Sequence, residues 1–93
     1  VFLLNKIFEL GAVKINLEDP FVWASGIKMP IYIDSRILVS DLDSRKHIAT
    51  GFEYFLNSQS FYTPDFICGV ATGGIAPATT LADRLNKPLL YCR

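Results

Sequence analysis

The sequence has no surplus of either charge, because nine Lys and Arg residues balance nine Asp and Glu. Without a basic stripe, nucleic acid is a poor partner, since its backbone is gripped by clustered cations. A small anionic ligand stays within reach, because local geometry decides that case. Long apolar runs are also missing. None reaches the ~18 residues of a membrane span, and the opening Val1-Phe2-Leu3-Leu4 is broken by Asn5 and Lys6. That opening lacks a basic leader and a small-residue cleavage site, so it does not read as a signal peptide. Histidine occurs once and cysteine twice, which does not make a usual zinc site. No Ser-His-Asp or Cys-His set is evident. His47 falls on an expected helix between Lys46 and Ile48 and reads as a surface residue. Cys68 and Cys92 fall inside expected strands and are expected to be buried cytosolic thiols.

What is present is core material. Of 93 residues, 51% are hydrophobic and 19% charged, which argues for one folded domain or part of one. Leu3, Ile7 and Leu10 recur at helical spacing over residues 2–10, and Gly11 is a stop signal. Val13, Ile15 and Leu17 alternate with polar residues as a strand does. Glu18-Asp19-Pro20 is a turn, Phe21-Val22-Trp23 is extended, and Ser25-Gly26 is a turn or bulge. Pro30 opens a strand, Ile31-Tyr32-Ile33-Asp34. Ser40-Asp41-Leu42-Asp43 reads as a helix start, and that helix ends at Asn57-Ser58-Gln59-Ser60. The apolar run Phe66–Val70, the helical pattern Ile75–Leu85 and the run Leu89–Cys92 complete an αβαβ order. The expected division is an N-terminal piece, 1–36, and an α/β part with a parallel sheet, 37–93. The chain opens on Val and stops as a strand ends, so an incomplete protein is expected.

Two places invite chemistry. Thr72-Gly73-Gly74 lies where a strand hands over to a helix, and Pro77 sits in that helix's first turn. Such a turn can aim several backbone N–H groups at one anion, with the helix start adding partial positive charge. In open parallel sheets, ligands bind outside the carboxyl ends of strands. The bland alternative is a tight turn whose glycines only permit positive φ. The spacing matches neither G-x-G-x-x-G nor the P-loop pattern. Arg93, at the end of the last strand, stands on the same rim and could meet a phosphate bidentately. The second place is the segment from Trp23 to Arg36. There Tyr32 could offer a ring face to a flat ligand while neighbouring backbone groups read its polar edges.

Three stretches in order resemble type I phosphoribosyltransferases that act on orotate. They are Leu10–Lys14, Phe21–Arg36 with its Trp-x-Ser-Gly-Ile-Lys core, and Cys68–Ile75. The resemblance covers essentially the whole chain but only about the first half of a family member. It implies an α/β fold, a parallel sheet with an N-terminal α+β hood, incomplete at the C-terminus. It also implies the reaction: orotate is joined to the ribose of 5-phosphoribosyl 1-diphosphate (PRPP), with Mg²⁺ carried by PRPP, giving orotidine 5′-phosphate and diphosphate. The implied setting is cytoplasmic pyrimidine synthesis by a homodimer.

Carried onto this sequence, the resemblance puts the diphosphate at Thr72, Gly73 and Gly74. Arg93 would reach the diphosphate in the neighbouring subunit's site. Orotate would lie at Tyr32 and Ile33, and Ser25, Gly26 and Lys28 would belong to the hood near the substrates. No catalytic side chain and no metal ligand is assigned. Ala24 stands where many members have a substrate-contacting Lys, and Met29 where a Ser is usual. The family's mobile loop and its acidic PRPP motif should follow Arg93, so the 93 residues alone are expected to be inactive. Two alternatives remain. One is a non-catalytic module that binds a phosphorylated sugar. The other is a purine-type phosphoribosyltransferase, against which Ser25–Lys28 and Pro30–Asp34 speak.

Overall fold

A computed structural model describes residues 2–59 and 63–93; Ser60, in the expected helix end, lies outside them. The chain divides into two compact units, Val1–Ser40 and Asp41–Arg93. The division falls after the expected position 36 because a short helix, absent from the sequence reading, closes the first unit.

In the first unit, α1 spans Phe2–Glu9. It ends as Gly11 and Ala12 donate their N–H groups to the Phe8 and Ile7 carbonyls at 3.2 and 2.9 Å, a Schellman closure. Strand β1, Val13–Ile15, follows. It is shorter than the alternation to Leu17 suggested. The reason is Asn16, whose Oδ1 accepts from the Glu18 and Asp19 N–H groups at 3.2 and 3.0 Å and turns the chain. Strands β2 (Phe21–Val22) and β3 (Lys28–Met29) form an antiparallel hairpin; the sequence reading assigned no element to Lys28 and Met29. Strand β4, Ile31–Ile33, pairs antiparallel with β1 in the register Val13↔Ile33, Lys14↔Tyr32, Ile15↔Ile31. Helix α2, Arg36–Ser40, then begins under Asp34. The Asp34 carboxylate accepts from the Arg36 N–H at 3.1 Å and from its guanidinium at 2.8 and 3.1 Å.

The second unit opens with α3, Leu42–Ser58, capped by Asp41 as expected. The cap carboxylate accepts from the Ser44 N–H at 2.9 Å and from its hydroxyl at 2.6 Å, and Ser44 is fully buried. Strand β5 (Ile67–Val70), helix α4 (Ile75–Leu85) and strand β6 (Leu89–Cys92) form a βαβ unit. Its strands are parallel, with Ile67↔Leu89 and Val70↔Cys92 in register. Helix α4 packs on both strands and on α3, burying Ala49, Ala78, Leu81 and Ala82. Glu53 and Arg84 pair across α3 and α4. Asn86, at φ 57, lets its own N–H and that of Lys87 close α4 on the Asp83 and Ala82 carbonyls.

The two cysteines correct an expectation, since both are exposed and free. Pleating turns Gly69 towards α4, so Cys68 and its neighbours Val70, Leu90 and Cys92 face away from the helix. No element among the described residues covers that side, where Val70 is 63% and Leu90 53% exposed. The Cys92 thiol beside it holds Cys68 above its ordinary pKa.

Candidate functional site

The β5–α4 turn is built by close approach. A Cβ on Gly74 would stand 2.6 Å from the Val70 carbonyl oxygen and 2.9 Å from the Val70 nitrogen. One on Gly69 would stand 2.8 Å from the Gly74 oxygen and 2.9 Å from Ala78 Cβ. Gly74 itself has φ −83. It is therefore glycine for space and not for the positive φ offered above as the bland reading. Its N–H donates to the Val70 carbonyl at 2.8 Å, and the Ile75 N–H donates to Thr72 at 3.2 Å. Those two donors are used internally. The N–H groups of Thr72, Gly73 and Ala76 have no backbone acceptor among the described residues, and Pro77 has no N–H to leave unpaired. Three donors thus remain at the start of an eleven-residue helix, where the helix dipole favours an anion. The Ala71–Thr72 peptide bond is cis.

In front of this turn lies an open pocket of about 590 Å³ lined by Ala71, Thr72, Ile75, Tyr91 and Arg93. The structure therefore brings Thr72 and Arg93 together, as the sequence suggested. The link is the sheet edge, where the Ala71 N–H donates to the Cys92 carbonyl at 2.7 Å. Tyr91 was missed. Its signal was strand alternation, which puts it opposite Gly69 on the α4 side of β6.

The first unit holds a second pocket, about 550 Å³, lined by Trp23, Ala24, Met29, Ile31, Tyr32 and Ile33. Tyr32 and Ile33 line it together, as expected. Tyr32 is held by Phe21, with ring centroids 5.8 Å apart and planes tilted by 43°. Ser25 and Gly26 sit exposed at the hairpin tip, where the Gly26 N–H donates to Trp23 at 2.8 Å. Lys28 pairs with Val22 in the hairpin and lines neither pocket. Trp23 and Met29 were not singled out as ligand residues. Asp34 is kept below its ordinary pKa by the Arg36 side chain, so this ion pair braces the end of β4. No group of three or more His, Cys, Asp or Glu residues suited to a metal occurs among the described residues. No helix among them is long and apolar enough to cross a membrane.

No family model matches the sequence. Individual relatives do. Orotate phosphoribosyltransferase of Oceanobacillus iheyensis is 44% identical over 91 residues, covering 98% of this chain and 45% of that protein. The Bacillus cytotoxicus enzyme of the same name is 42% identical, with 98% and 43% covered. Over its whole length, the chain is similar to part of orotate phosphoribosyltransferases. It spans less than half the length of these curated relatives. Among solved structures, the orotate phosphoribosyltransferase of Aeropyrum pernix superposes with a TM-score of 0.74 at 36% identity, covering 98% of this chain and 52% of that one. Leishmania donovani UMP synthase superposes at 0.75 with 26% identity, covering 97% and 19%. The fold is thus part of the type I phosphoribosyltransferase fold, with its parallel β5–β6 sheet and the hood strands β1–β4.

Proposed function

We propose that the full-length protein is an orotate phosphoribosyltransferase, which joins orotate to the ribose of PRPP and releases diphosphate. The observation that carries this reading is 44% identity to a protein of that name across 98% of the chain. The pockets support it in chemical terms. In the reaction the bond from ribose C1 to the diphosphate oxygen breaks with its electron pair leaving on diphosphate, a bond from C1 to the orotate nitrogen forms, and the proton on that nitrogen is released. Charge builds up on the leaving diphosphate, so catalysis needs positioned donors more than a protein nucleophile. The open N–H groups of Thr72, Gly73 and Ala76, with the Arg93 guanidinium, suit that task. The apolar pocket at Tyr32 and Ile33 suits a flat base. Mg²⁺ would arrive on the diphosphate of PRPP. The protein would act in the cytoplasm as a homodimer, with Arg93 serving the diphosphate of its own or the neighbouring site.

The test is orotate-dependent formation of orotidine 5′-phosphate by the full-length protein. Arg93→Ala is expected to raise the KM for PRPP about 10–100-fold, because a charge-assisted contact of roughly 1.5–3 kcal/mol is lost. Mixing Arg93→Ala subunits with subunits carrying Gly74→Val distinguishes the two placements of Arg93. Activity restored in the mixture places it in the neighbour's site. An unchanged PRPP KM for Arg93→Ala would count against the reading.

A further inference from the structure

The base pocket borders a strand edge whose hydrogen-bonding face can be worked out. In the β1–β4 ladder, the Asn16 N–H donates to the Pro30 carbonyl and the Asp34 N–H to the Ala12 carbonyl, both at 2.7 Å. Antiparallel pairs alternate between bonded and non-bonded. These two bonds therefore fix the phase: Tyr32 exchanges bonds with Lys14, while Ile31 and Ile33 turn their N–H and C=O groups to the far edge. In the described residues β4 has no strand on that edge. The side chain of Trp23 is there instead, its Nε1–H donating to the Ile31 carbonyl at 3.2 Å. The indole thus takes up one of the two acceptors of the edge. What remains is the Ile31 N–H, the Ile33 N–H and one carbonyl, that of Ile33, beside a pocket walled by Trp23, Met29 and Tyr32.

Building on the proposed function, we propose that Trp23 is a positioning residue that sets base specificity. By capping the Ile31 carbonyl it makes the edge donor-rich, which favours a flat ring carrying carboxylate and carbonyl oxygens over one lacking them. An uncapped carbonyl there would repel those oxygens. Its ring, pinned by the same hydrogen bond, walls the base.

The experiment uses the full-length protein with orotate, uracil and PRPP. Trp23→Phe keeps an aromatic wall and removes the donor. It is expected to raise the KM for orotate about tenfold, the effect of one hydrogen bond, with kcat and the PRPP KM within about twofold of wild type. The preference for orotate over uracil, which lacks the carboxylate, should narrow. Trp23→His, which restores an N–H donor on a ring, should recover part of the orotate affinity. Orotate should quench emission that is present in wild type and missing in Trp23→Phe. An orotate KM and preference unchanged in Trp23→Phe, with Arg93→Ala still weakening PRPP, would overturn this inference alone. Equal losses for orotate and PRPP, with no rescue by His, would also overturn it, as a purely structural effect. No orotidine 5′-phosphate from the wild-type protein would instead bring down the proposed function.

Discussion

Gly74→Ala is the sharpest probe of the turn beside the pocket that Thr72 and Arg93 line. The added methyl would lie 2.6 Å from the Val70 carbonyl oxygen and 2.9 Å from its nitrogen. Both are backbone atoms of β5, so no side chain can rotate away. The turn must open, which stretches or breaks the 2.8 Å bond from the Gly74 N–H to that same carbonyl. Overpacking costs about 1–3 kcal/mol and a lost hydrogen bond about 1 kcal/mol, so the expected destabilisation is roughly 2–4 kcal/mol. Glycine-to-alanine at a helix interior normally acts the other way, by about 0.5–1 kcal/mol. Gly51, inside α3, with nothing within 4 Å of its would-be Cβ, supplies that control. Denaturant unfolding of the full-length protein should therefore move the midpoint down for Gly74→Ala and up for Gly51→Ala. The PRPP KM should rise only for the former, because the Thr72 and Gly73 N–H groups move with the turn. A Gly74→Ala protein as stable as wild type, with an unchanged PRPP KM, would refute the close-approach reasoning.

Asp41→Ala removes the cap of α3 and leaves the buried Ser44 hydroxyl without its acceptor. The expected loss is about 2–3 kcal/mol, about one from the cap and the rest from the stranded hydroxyl. Adding Ser44→Ala should recover part of that loss in the same unfolding measurement, and strict additivity of the two variants would count against the coupling. The Asp34–Arg36 pair has a pH signature. Arg36 holds the Asp34 carboxyl below its ordinary 3.8, so its contribution is present above pH 3.8 and fades as pH falls through the lowered folded-state value. The Asp34 carboxylate raises Arg36 above its ordinary value, so it stays charged throughout that window. An NMR titration of Asp34 should give a midpoint below 3.8, and one at or above it would remove the brace at the end of β4.

The elements that announced themselves in the sequence carry their physical cause locally. Helix α3 has its cap in Asp41, and β5, α4 and β6 have apolar runs cut by glycine, asparagine and proline. The missed elements depend on partners further away. Lys28 and Met29 become strand β3 only because Val22 and Phe21 lie opposite; a two-residue strand has no periodicity to read. Helix α2 begins because the Asp34 carboxylate caps it from outside, after a strand that draws attention away. The cysteines were placed inside because they sit in strands, and a parallel sheet is usually covered on both faces. Within the described residues α4 covers one face only. The site divides in the same manner. Its juxtapositions were legible in part, since Thr72 and Arg93 line one pocket and Tyr32 and Ile33 another. Which donors are open was not legible, because that depends on hydrogen bonds the chain makes with itself. Gly74 illustrates this: its N–H looked like a phosphate donor until Val70 was found to hold it. In the proposed reading, an anion at the turn therefore has the N–H groups of Thr72, Gly73 and Ala76 to meet, and the part of Gly74 is to let β5 and α4 approach closely.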